Sequence, residues 1–317
     1  MKITSILTVL LFLIIGCTKK DKLAIDVSTI DVKTTIKRFD QEFYANPKLS
    51  SLKEAYPYLF PTQTPDSIWV KKMKDKDELE LFARTQKLYQ GFTNEKEQLE
   101  DLFKHITYYY PKFQSPKVIT VLTNVDYDSN VIYSDSLLFI SLDLYLGKDS
   151  PIYSSVPKYI SKNFRKEHII IDVANAISKV QIQASNDRTF ISRMIQKGKK
   201  MYLLDAYLPL VDDAEKIGYT QEQIDWSKAN DVEVWKYFVQ NKLLFSTDQK
   251  LSKRFIDNAP FSKFNQATDN ETPGRIGEWF GWQIVKAYMQ NNDVSLTDLL
   301  KTSNEDIFKK SKYKPIK

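Results

Sequence analysis

The stretch TPGRIGEWFGWQIVKAYM, residues 272–289, constrains the fold more than any other part of this sequence. It holds three of the chain's eight glycines and two of its five tryptophans. Thr272 suits a helix N-cap and Pro273 the first helical position. Gly274, Gly277 and Gly281 then recur at i, i+3 and i+7, which places them on one helical face. The other positions are apolar almost all round, the mark of a buried helix. A glycine costs about 1 kcal/mol against alanine in a helix interior. Three of them are tolerable where another backbone or a ligand must come close, and the helix around His168 is the expected partner. Arg275 and Glu278, at i and i+3 near the start, are the charges best placed to meet that partner.

That partner sequence is FRKEHIIIDVANAISKV, residues 164–180, read as part of a helix over 162–183. His168 and Asp172 are four apart, so they share a face, the way a helix presents two metal ligands. Strands followed by such a helix resemble the zinc peptidases with H-E-x-x-H, where two histidines hold zinc and the glutamate activates water. Here Ile169 stands at the base position and Asp172 replaces the second histidine. Starting the frame at Glu167 puts Ile171 in the fifth position. Only one other histidine exists, His105, on a separate helix. Neither frame gives a working zinc site, so Glu167, His168, Asp172, Arg275 and Glu278 stand as candidate binding residues. A peptidase using His168, Asp172 and Glu278 is the competing reading, and a ligand pocket along the glycine face is a third.

The N-terminus carries a different kind of signal. Ile6–Ile15 is a ten-residue run with one polar member, too short for a span of roughly 20 residues but suited to a signal-peptide core. It ends in Ile14-Ile15-Gly16-Cys17, which resembles a bacterial lipobox: a small residue before the cut and a thiol to accept the lipid. Cys17 is the only cysteine, which leaves an exported chain no disulfide framework. The expectation is a signal peptide over 1–16, a lipidated tether over 17–35, and acyl chains such as palmitate on Cys17 as the hold on the membrane. No other cofactor and no metal are expected.

From Ile36 to Tyr110 the pattern is helical, with helices expected over 75–89 and 94–110. The period then changes. Residues 117–122 and 137–142 are β-rich, with a short strand expected at Val131–Tyr133. Helices are expected again to about residue 310, including 188–197, 199–208 and 220–244. The fold class is therefore mainly α (α+β): one helical domain over 36–312 with a small antiparallel sheet near 117–142, in a zincin-like layout without the catalytic motif.

Other motifs lead to plainer readings. Asp126-x-Asp128-x-Asn130 opens like a calcium loop but has Val131 at the glycine position and Leu137 at the glutamate position, which leaves a turn. His105 reads as a structural histidine. Lys197, Lys199 and Lys200 around Gly198 read as a helix C-terminus with lysines near its carbonyls, with a partner contact site as the alternative. The tail lysines, Lys309 to Lys317, read as a solvated end, with contact to anionic lipid or a partner as the alternative. Charges are otherwise interleaved, with a net of +6, and no basic patch with exposed aromatics points to nucleic acid.

Taken together, the Cys17 lipobox, FRKEHIIIDVANAI (164–177), GKKMYLLDAYLP (198–209), APFSKF (259–264) and PGRIGEWFGWQIVKAYM (273–289) resemble the gliding-motility lipoprotein family GldB. The resemblance implies a cell-envelope lipoprotein needed for movement over surfaces, anchored by lipid to the cell membrane or outer membrane; Thr18-Lys19-Lys20 after the cysteine lacks an acidic run, which points to a periplasm-facing domain. The resemblance implies partners among the envelope proteins of the gliding and secretion apparatus. It also implies a distant likeness to predicted zinc peptidases, from which Ile169 and Asp172 depart. The expected role is non-catalytic binding or scaffolding.

Overall fold

The computed structural model describes residues 22–45 and 48–315. Cys17 and the apolar run before it lie outside these residues. A four-stranded sheet divides two hydrophobic layers. Its strands are β1 (Ile36–Lys37), β2 (Lys117–Val121), β3 (Val131–Ser134) and β4 (Leu137–Ser141), in the order β1-β2-β4-β3. The sheet is mixed rather than antiparallel. β1 and β4 both run parallel to β2, and only the β3–β4 hairpin is antiparallel.

Alternation assigns the two faces. Val118, Leu138 and Ile140 face the main core. Ile119, Val121 and Phe139 face a smaller cluster built from Phe43, Leu52, Tyr56 and Phe60. The strand at Ile36–Lys37 replaces the start of an expected helix. Ile36 and Lys37 register with Val118 and Ile119, so pairing with a strand eighty residues away overrides their local pattern.

The main core is helical. α1 (Thr93–Tyr109) buries Leu99, Leu102, Phe103 and Ile106 against it and ends before Pro111. α2 (Ile169–Gln181) rests against β3, α3 (Phe190–Tyr207) lies at the centre, and α4 (Ile276–Asn291) packs on α3. α5 (Asn304–Ser311) closes over α3 and α4.

Several expectations are corrected. The Trp-rich helix is buried as expected, with Phe280 and Trp282 fully enclosed, but its principal neighbour is α3 and not the His168 helix. The glycines explain the choice. A Cβ on Gly281 would lie 1.8 Å from the Met194 carbonyl oxygen, and one on Gly198 would lie 2.1 Å from the Gly281 carbonyl oxygen. The two backbones touch where both lack side chains. Gly198 is therefore no helix end, and one helix runs unbroken through the two segments expected at 188–197 and 199–208.

α4 begins at Ile276, three residues later than expected, because Arg275 adopts a left-handed conformation (φ 61°) that turns the chain into the helix. Thr272 stays outside the helix, where its hydroxyl bonds to the carbonyls of Ser262 and Asp269. The helix expected over 162–183 starts only at Ile169. Before it, Arg165 is extended and Lys166–His168 form a 3-10 turn, so His168 sits at the N-cap of α2. The helix expected over 220–244 divides at Asn230 into Gln221–Ala229 and Asp231–Gln240.

Residues 22–35, expected as part of a tether, lie against the body. Lys22 Nζ donates to the Asn292 carbonyl at 3.0 Å, Leu23 and Val32 pack on the core, and Thr34 is buried.

Candidate functional site

α3 presents a problem that its sequence announces. It is buried almost all round, yet it carries Lys197, Lys199, Lys200 and Asp205. Buried charges need partners. Lys199 Nζ donates to the Thr302 carbonyl at 2.7 Å and so ends a short helix at Leu296–Lys301. Asp205 accepts from the Trp282 indole at 2.7 Å and from Lys216 Nζ at 3.0 Å, which ties α3 to α4 a second time.

Lys200 reaches Glu278, in the first turn of α4, at 2.8 Å. The other Glu278 oxygen is 2.9 Å from Arg275 Nη1. Glu278 is only 2% exposed. Burial pushes its carboxyl up, but Lys200 and Arg275 outweigh burial and hold it at about 2. Arg275 also bonds the Ile217 carbonyl and lies over the Tyr219 ring. The left-handed turn that starts α4 is what aims this guanidinium.

At the N-terminus of α2, His168 is buried, with Nε2 3.6 Å from Asp172 Oδ1. Its Nδ1 has no hydrogen-bond partner among the described residues. Burial lowers its pKa, Asp172 opposes that, and Arg165 and Arg275 add to it. Asp172 Oδ2 accepts from the Tyr145 hydroxyl at 2.8 Å and from Asn130 Nδ2 at 2.9 Å. Asn130 comes from the β2–β3 loop, so the turn read at Asp126–Asn130 supports α2.

Between these groups opens a cleft of about 540 Å³, lined by Asn130, Asp172, Asn175, Lys179, Lys197 and Lys200 among others. α2 lines it with Asp172, Asn175 and Lys179, and α3 with Lys197 and Lys200.

Of the candidate residues, Arg275 acts electrostatically on His168, which sits beside Asp172, and pairs with Glu278. These four form two polar pairs, His168–Asp172 at the start of α2 and Arg275–Glu278 at the start of α4, with Lys200 of α3 joining the second. Glu167 does not join them. Its side chain is 71% exposed and lies 3.8 Å from Arg165. Among the described residues no group of three or more His, Cys, Asp or Glu side chains could hold a metal ion. Glu278, the third ligand of the peptidase reading, is drawn to Lys200 and Arg275 instead. Tyr145 escaped sequence reasoning, while Asn130 was read only as part of a turn and Lys200 only as part of a helix end. His105 is buried with Nδ1 2.9 Å from the Asp101 carbonyl, a structural histidine as expected.

His168 gives a pH prediction. Its folded pKa lies below the ordinary value of 6.5, so the unfolded chain takes up a proton first as pH falls. Its contribution is fully present above pH 6.5 and is lost as pH drops below that. Denaturant midpoints between pH 7 and pH 5 should fall for the parent chain and fall less for His168→Gln. An equal slope in the two would mean that the imidazole is not held neutral.

These features define a mainly helical α+β protein with buried ion pairs between its central helices and a charged cleft beside them. The family model described as gliding motility protein GldB matches residues 20–315, and the chain belongs to that family. No curated protein and no solved structure matches it.

Proposed function

We propose that this chain is a lipid-anchored component of the cell envelope that supports gliding motility by binding, with the cleft between α2 and α3 as its contact site. Family membership supports the motility role. The observation that carries binding over catalysis is the state of the Glu278 and Asp172 carboxylates. Both oxygens of Glu278 are engaged by cations, and Asp172 Oδ2 takes two neutral donors. Glu278 could act as a base or metal ligand only by giving up its two cations, and Asp172 Oδ1 has only the His168 imidazole near it, at 3.6 Å. Acyl chains on Cys17 supply the membrane hold in this reading. No helix among the described residues is long and apolar enough to cross a membrane. The domain faces the periplasm and meets envelope proteins of the gliding and secretion apparatus.

The test has two parts. Deleting the gene should abolish colony spreading, and a Lys197→Glu/Lys179→Glu chain that still folds should fail to restore it and lose its co-purifying envelope proteins. Purified chain should hold no stoichiometric zinc and should cleave no peptide library. Zinc at one per chain, together with cleavage lost in His168→Ala, would establish the peptidase instead.

A further inference from the structure

The two ends of the described chain meet at one corner of the body. Lys22 Nζ donates to the Asn292 carbonyl at 3.0 Å and pairs with Asp293 at 3.3 Å. Asn292 Nδ2 in turn donates to the Lys310 carbonyl at 3.1 Å, and Asn291 Nδ2 to the Ser311 carbonyl at 2.7 Å. The exit of α4 thus clasps the first described residue on one side and the end of α5 on the other.

Charge gathers at this corner. Residues 309–314 hold four lysines and no acidic residue, and Lys22 adds a fifth amine. Lys309 and Lys310 spend part of their charge on Glu305 and Asp306, whereas Lys312 and Lys314 are exposed and form no ion pair among the described residues.

One large apolar side chain borders the corner with little cover. Leu210 is 93% exposed. It follows Pro209, which shares a cleft with Lys22 and Leu23. Amines beside a projecting apolar group match the boundary of a bilayer, where headgroup phosphates and acyl carbons lie in adjacent layers.

Covalent geometry supplies the occupant. Four residues separate Cys17 from Lys22, so five steps of the chain give a reach of at most roughly 18 Å at full extension. An acylated Cys17 therefore leaves this corner no more than that distance from the membrane that holds the lipid.

We infer that the corner formed by Lys22, Leu210 and the lysines of residues 309–314 is a membrane-apposed face that seats on anionic phospholipid headgroups and fixes how the body stands on the bilayer. The direction of approach rests on the proposed acylation of Cys17, while the chemistry of the face does not.

Because Cys17 is the only cysteine, the wild-type chain reports on its own anchor. Membrane-purified protein that takes up no thiol reagent has an acylated Cys17, and one label per chain would remove the anchor reading alone. Single-cysteine variants Leu210→Cys, Lys314→Cys and, as comparator, Ile132→Cys on exposed β3 are then labelled in the lipidated chain on vesicles carrying headgroup nitroxides. Leu210 and Lys314 labels should be quenched at least threefold more than the Ile132 label. Equal quenching, or stronger quenching at Ile132, would overturn the inference.

A second arm does not depend on the lipid. The chain from residue 17 with Cys17→Ser, which keeps every described residue, should bind vesicles containing phosphatidylglycerol and not neutral phosphatidylcholine vesicles. Raising salt from about 50 to 200 mM should weaken that binding severalfold. Lys312→Asn/Lys314→Glu should weaken it at least about tenfold; asparagine suits the left-handed backbone at 312 (φ 50°), so the fold is kept. Binding unchanged by the double variant, or equal on neutral vesicles, would refute the face whatever the state of Cys17.

Discussion

Gly281→Ala is expected to destabilise the protein by about 3 kcal/mol, the upper end for overpacking a core. The added carbon would lie 1.8 Å from the Met194 carbonyl oxygen and 2.4 Å from the carbonyl carbon. Those are backbone atoms of a buried helix, so no rotamer change relieves the contact and α3 and α4 must separate. Separation also stretches the Lys200–Glu278 pair and the Trp282–Asp205 bond, which cross the same interface. Against this, alanine gains about 1 kcal/mol of helix propensity over glycine. The steric term wins. Gly91→Ala is the control, since its Cβ would meet only the Thr93 hydroxyl at 3.6 Å, an ordinary contact. Denaturant midpoints should drop sharply for Gly281→Ala and hardly move for Gly91→Ala. A Gly281→Ala chain as stable as its parent would mean that the two helices do not meet as described.

Glu278→Gln is the second large effect. It keeps the shape and removes the charge, leaving Lys200 and Arg275 facing each other with Lys197 close by. Removing one partner of a buried ion pair costs roughly 3–5 kcal/mol. Lys200 and Arg275 retain some solvent access, which places the expected loss near 3 kcal/mol. Adding Lys200→Met should recover part of it, and the size of that recovery in a double-mutant cycle measures the pair. The pH dependence has a definite sign. The folded carboxyl titrates at about 2 and the unfolded one near 4.5, so the stabilisation is complete above pH 4.5 and is lost as pH falls from there towards 2. The parent chain should lose stability across that window, and Glu278→Gln should lose less. Matching profiles would show that Glu278 is not paired in the folded state.

The part of this architecture that could be read from sequence is the part encoded locally. Trp279, Phe280 and Trp282 surround α4 with apolar groups, so burial follows whatever the helix meets. Asp75 accepts from the amides of Asp77 and Glu78 and starts its helix where its residue type indicates. The partner of α4 was not legible, because a bare helical face states that something comes close without stating what. Gly198 carried the missing half, but flanking lysines give a glycine inside a helix the same look as one that ends it. The two residues of β1 are too few to show a period. His168 and Asp172 share a region as their spacing suggests, although the histidine precedes the helix. Of the site, the acidic half was readable at α2 and α4. The cations from α3 were not, since a lysine's partner is set by which helices pack together and not by its own neighbours.

The α3–α4 crossing also sets a timetable for the nascent chain. Gly281 leaves the ribosome 83 residues after Gly198, a delay of roughly 4–17 s at ordinary rates of synthesis. Throughout that interval the central helix has no mate for its bare patch, and Lys200 and Asp205 lack the Glu278 and Trp282 that neutralise or bond them. Partial chains can assemble the small cluster under the sheet from Phe43 to Val121, but the main core waits for α4, which appears only with about the last eighth of the chain.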